Sequence, residues 1–167
     1  MALTLSVKAG IRGVQTSPLD LGTADFPVDV LANVALASGT GANQADVIFT
    51  DTRTLTASAT ENLDLAGTLT NAFGVTVTMA RVKAILIKAA AANTNDVQVS
   101  RPAANGVPLF LAASDAIPVR PGGFLAWCAP DATAIVVTAS TGDLLTITNS
   151  AGGTSVTYDV VIVGASA

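Results

Sequence analysis

Short runs in which apolar and polar residues alternate, rich in Val, Ile and Thr, recur along the whole chain and are cut by Gly, Asn, Asp, Ser and Pro clusters. The runs are LTLSVKA from Leu3, PVDVLANVALA from Pro27, DVIFTDT from Asp46, RTLTASATENLDL from Arg53, GVTVTMARVKAILIKA from Gly74, DVQVSR from Asp96, GFLAWCA from Gly123, AIVVTAS from Ala134, DLLTITNS from Asp143 and SVTYDVVIVGAS from Ser155. Period-two alternation places successive side chains on opposite faces of a strand, so each run presents one face to a core. Between them stand SGTGAN, NAFG, AANG, RPGG, STGD and SAGG, turn sequences in which glycine reaches positive φ at little steric cost. About ten strands at such spacing predict an all-β fold, an antiparallel β-sandwich of jelly-roll-like type.

Two segments depart from this pattern. TMARVKAILIKAAAANTN, from Thr78, is alanine-rich, and Met79, Val82, Ile85 and Leu86 fit a helical stripe. Continuing the strict alternation of GVTVT through Ile87 instead puts Ile85 and Ile87 on an inward face and Leu86 on the other, and the strand is the preferred reading. AGIRGVQTSPLDLGTADFP, from Ala9, mixes Gly, Pro and Asp without sustained alternation. The expected organisation is therefore an extended N-terminal arm over residues 1–25 and one β-sandwich domain over 26–167. An arm of this kind either frays, as termini do, or lends a strand to a neighbour's sheet edge.

At 167 residues the chain is long enough to bury one core without metal or disulfide staples. Half of it is apolar, chiefly aliphatic, and only 12% is charged, against about 25% in ordinary soluble domains. A surface this poor in charge suits a subunit covered by its neighbours. No apolar run approaches the roughly 18 residues of a membrane span; the best candidate, VKAILIKAAAA, carries Lys83 and Lys88. A net charge of −4 with scattered Lys and Arg lacks the basic stripe that phosphate binding needs, so neither nucleic acid nor membrane is an expected partner. The start MALTLSVKAGIRG lacks the charged and apolar regions of a signal peptide.

No enzyme is expected, and no catalytic, cofactor-binding or metal residue is assigned. The chain has no histidine and a single cysteine, Cys128, so a thiol nucleophile lacks its usual base and no disulfide or multi-cysteine zinc site exists. Cys128, between Trp127 and Ala129, reads as a small buried hydrophobe. Glu61 is the one glutamate; the aspartates are scattered, and Asp115, Asp131 and Asp143 sit where turn aspartates bond their own backbone. SGTGANQ lacks the GK[ST] ending of a phosphate loop. DATA at Asp131 and NSAGGTS at Asn149 read as plain turns rather than calcium loops. Trp127, Tyr158 and Phe124 are the stacking residues if the chain binds carbohydrate, although one Trp within FLAWCA more often packs in a core.

The strand KAILIK, the RPGG turn, the series APDAT, VTA and GDLLTITNS, and the closing strand YDVVIVG follow in this order. This part of the chain, roughly residues 44–165, resembles small virion structural proteins of tailed bacteriophages, most of all capsid decoration or cement proteins. The resemblance implies a non-enzymatic structural protein on the capsid surface of the virion, assembled in the host cytoplasm, with no cofactor. Its expected partners are the major capsid protein and other copies of itself; decoration of local three-fold positions would select a homotrimer. The alternative is a carbohydrate- or receptor-binding module of a fibre or tail.

Overall fold

The computed structural model describes residues 2–167, leaving Met1 of the expected arm outside the described residues. The described residues form an all-β fold of several sheets without helix. The pairings within these sheets are antiparallel apart from one two-residue parallel contact.

The first sheet is a long hairpin of β1 (Leu5–Leu19) and β2 (Gly22–Ser38), paired from Leu5↔Leu36 to Leu19↔Gly22 around a tip at Asp20 and Leu21. The short β3 (Gln44–Ala45) runs parallel to the end of β2. In the second sheet, β6 (Arg81–Ala89) and β12 (Val156–Ala165) pair with each other. β12 also pairs with β4 (Val47–Leu55), while β6 takes both β9 (Phe124–Cys128) and β10 (Ile135–Val136) on its other side. The third sheet runs β5 (Thr60–Asp64), β11 (Leu144–Asn149), β7 (Val97–Ser100) and β8 (Ala116–Val119).

The second and third sheets share one core. Phe49, Ile85, Ile87, Val160 and Ile162 from one meet Leu63, Val97, Val99, Leu145 and Ile147 from the other. Full burial of each such side chain contributes about 1.5–3 kcal/mol. The β6 reading from sequence holds: Ile85 and Ile87 are buried while Leu86 faces outward. Pairing with β12 and β9 on both edges overrides the helical propensity of the alanines, and Ala90–Ala92 follow as a turn rather than a helix.

The sequence expectation is corrected in four places. The arm over residues 1–25 is not irregular: its described part is β1, its tip and the start of β2, so the expected boundary at Asp25 falls inside a strand. The run from Arg53 breaks into β4 and β5 at a turn where Ser58 takes φ 58°. The run from Gly74 becomes a strand only at Arg81; before it, the Asn71 side chain accepts from the backbone N–H of Phe73 and Val75 and holds a loop. Finally, β8 forms where no strand is expected from the sequence; it contains Pro118 and lies at a sheet edge, where proline is tolerated.

Candidate docking surface

Alternation on two paired strands sorts the hairpin side chains into two faces. On one lie Leu5, Val7, Ala9, Ile11 and Leu19 of β1 with Leu36, Val34, Ala32, Val30, Val28 and Phe26 of β2, interrupted by Gly13, Gln15 and Ser17. On the other lie Ser6, Lys8, Arg12 and Thr16 with Asn33, Asp29 and Asp25, together with Val14 and Leu31. Arg12 and Asp29 are directly opposite there and form a bidentate ion pair at 3.1 and 2.9 Å. At this exposure the pair contributes at most about 1 kcal/mol.

The apolar face is covered only at its base. Leu5, Val7, Val34 and Leu36 pack against Ala84, Val163, Ile48 and Val161 on the outer side of the second sheet. Farther out, Ile11, Val30, Phe26 and Leu19 are 75%, 68%, 65% and 62% exposed. Seven of the fourteen large exposed apolar side chains among the described residues belong to this hairpin. A two-stranded ribbon is marginally stable in water by itself, and an exposed contiguous apolar face of this kind marks a candidate interaction surface.

The receiving surface follows from the register of the second sheet. Val161, Leu86 and Ala126 stand side by side on its outer face, next to the row Ile48, Val163, Ala84 and Cys128 that the hairpin base meets. At this end the outer face is thus apolar as well as the inner one, and beyond Val161 and Leu86 it turns polar with Thr50, Lys88 and Asp159. Between it and Leu5–Lys8 lies a groove of about 360 Å³.

The structure does not assemble Trp127, Tyr158 and Phe124 into a stacking platform. Tyr158 is fully buried. Trp127 pairs with Ile85 and packs against the main core, whereas Phe124, three residues earlier on β9, faces out from the other side. The Tyr158 hydroxyl donates to Glu61 at 2.6 Å, and the other Glu61 oxygen takes the Arg53 guanidinium. Burial first, and the Glu61 bond next, push the Tyr158 hydroxyl far above its ordinary range. Burial works against the Arg53 charge, but the hydrogen bond and charge of Glu61 outweigh it and raise the pKa. Asp51 lies 3.1 Å from Arg53 Nε yet off the N–H direction, so it neutralises without hydrogen bonding. This cluster ties β4, β5 and β12 together inside the molecule.

The aspartates singled out from sequence serve their turns. Asp131 accepts from the N–H groups of Thr133 and Ala134, Asp143 from that of Ser140, and Asp115 from that of Ala112. Those backbone bonds, above all the one from Ala134, lower the Asp131 pKa. Cys128 is half-buried beside the hairpin base, and burial pushes its thiol up. Lys83 was not anticipated as a structural residue. It sits where the β6–β12 register shifts, is completely buried, and donates to the carbonyls of Asp131 and Gly41, pinning two loops. Burial lowers its pKa. Among the described residues, no three His, Cys, Asp or Glu side chains gather as a metal site, and no helix is long and apolar enough to cross a membrane.

Comparison with family models, with curated proteins and with solved structures finds no match.

Proposed function

We propose that this chain is a non-enzymatic virion structural protein of a tailed bacteriophage, a jelly-roll-like sandwich subunit that binds the outside of the capsid and stabilises it. The observation that carries the reading is the hairpin: an apolar face, seated at its base and open along the rest, is an attachment device rather than a reaction site. The order of strands and turns from KAILIK to YDVVIVG and the low charge of the surface support the same reading. In this setting the subunit works by adding contacts between capsid subunits, in partnership with the major capsid protein and as a homotrimer. Anything that binds the assembled shell and not its separated parts stabilises the shell by mass action. The test is sedimentation of the purified chain with undecorated capsids of a tailed phage. Saturable binding that raises the temperature of capsid disruption is expected, and no binding at micromolar protein overturns the reading.

A further inference from the structure

The hairpin's apolar face and the groove on the second sheet are two halves of one interface, and within a single chain they meet only at the hairpin base. Beyond Lys8 no hairpin residue lines the groove. We propose that copies of this chain exchange hairpins, the open apolar face of one copy lying over Leu86, Val161 and Ala126 of the next. This inference rests on the reading of the chain as an assembly subunit and adds which surfaces join and by which mode.

Three observations carry it. The first is continuity: the same hairpin face already seats on the same sheet face through Leu5, Val7, Val34 and Leu36, so the two surfaces match in chemistry and pleat.

The second is area. The hairpin beyond its base extends about 35 Å at about 3.4 Å per residue and is about 10 Å wide. The open hairpin face therefore offers at most roughly 350–400 Å², with Leu86, Val161 and Ala126 as its apolar contact on the partner sheet and Thr50, Lys88 and Asp159 beside them. A copy that both gives and receives a hairpin buries at most about 700–800 Å², close to the amount per partner in a standard interface. A single one-way contact has half of that, so closed exchange, in which every copy both gives and receives, is favoured over an isolated contact, and a reciprocal pair places the whole area in one interface.

The third observation selects face over edge. Pro18 pairs with Thr23 and Pro27 with Val14, two pairs of the same parity. Proline has no N–H for the ladder, so these are non-hydrogen-bonded pairs and both proline nitrogens point to the outer edges. A strand adding at either edge meets a missing donor there, whereas the apolar face is unobstructed.

The experiment is light scattering after size exclusion on the full chain, over a hundredfold range of concentration. It compares Val30→Asp on the apolar face, Leu31→Asp on the opposite face at similar exposure, and Ala126→Arg in the groove, with circular dichroism to verify folding. The unsubstituted chain is expected to form a closed oligomer. Val30→Asp and Ala126→Arg, each alone, should weaken it at least tenfold, while Leu31→Asp leaves it intact. Mixing the two defective variants rebuilds only one contact, the sound hairpin of Ala126→Arg on the sound groove of Val30→Asp, and so should not recover the closed oligomer. A chain that stays a single protomer throughout, equal damage from Leu31→Asp, or a mixture that regains the full closed oligomer overturns the proposal. Capsid sedimentation separates this outcome from failure of the functional reading. Protomers that bind capsids refute hairpin exchange alone, and hairpin-exchanged oligomers that ignore capsids refute the capsid role alone.

Discussion

At the scale of single residues, the chemistry-bearing side chains are absorbed by the architecture. Glu61 is the hub, since it takes the Tyr158 hydroxyl and the Arg53 guanidinium together. Glu61→Gln removes the charged acceptor shared by Tyr158 and Arg53, leaves Asp51 as the remaining countercharge of a partly buried guanidinium, and is expected to cost about 2 kcal/mol in urea unfolding; a change below about 0.5 kcal/mol would show the cluster to be incidental. Tyr158, the one tyrosine, supplies a clean pH test. Its folded-state pKa is raised by burial, so its contribution to stability is complete below the unfolded value of about 10 and is lost as pH climbs above it. Phenolate absorbance should therefore stay absent until alkaline unfolding and then appear together with the loss of structure. A phenolate band that titrates near pH 10 in folded protein contradicts the burial. Cys128 should react slowly with a bulky thiol reagent under native conditions, because burial raises its pKa and no cation lies beside it to favour the thiolate.

At the scale of elements, the hairpin and the two-sheet body should differ in stability by most of the molecule's unfolding free energy. β6 and β12 are flanked by strands on both sides and feed the main core, whereas the outer hairpin holds only its own ladder. Amide exchange in residues 10–31 is expected to be fast in dilute protomer and to slow markedly on assembly, with β6 and β12 slow in both. Uniform protection in the dilute protein would show that the hairpin needs no cover. The body was legible in the sequence because burial on one face writes a period of two: Ile85, Leu86 and Ile87 could be assigned to their faces from alternation alone. Of the hairpin, LTLSVKA and PVDVLANVALA read as strands, but the segment between them did not, for a local reason. Its tip is Asp20–Leu21 rather than the Asn-Gly or Asp-Gly that marks a two-residue hairpin turn, and Gly10, Gly13 and Pro18 punctuate a stretch that reads as an irregular arm. The docking groove was equally hidden, since Val161, Leu86 and Ala126 come from three strands far apart in sequence and join only through the register. Lys83 reads as a polar interruption of an apolar strand, and only the register shift beside it explains how a buried ammonium finds two carbonyls.

At the scale of the whole molecule, the composition and the hairpin describe one strategy. A chain with 12% charged residues has little repulsion to keep copies apart, and it places half of its large exposed apolar groups on one projecting element. On the proposed hairpin exchange, stability is shared between folding and association, because burial that the protomer leaves open would be completed by its neighbours. Association linked to folding makes the melting temperature depend on protein concentration. For a chain of this length each kcal/mol shifts Tm by roughly 2–4 °C, and a tenfold rise in concentration adds about 1.4 kcal/mol per association step. Shared among the copies in a small closed oligomer, this is expected to raise Tm by about 2 °C per tenfold concentration. A variant in which residues 10–31 are replaced by a tight Asn-Gly turn closes on Ala9↔Ala32, a pair of the same parity as the native closing pair Leu19↔Gly22, and keeps the base contacts and the entire two-sheet core, so it should still unfold cooperatively. Its Tm should be independent of concentration, and it should no longer sediment with capsids. If the full chain also melts at one temperature over a hundredfold range, the hairpin is no part of the molecule's stability; if the shortened variant fails to fold, the hairpin belongs to the body's own folding unit.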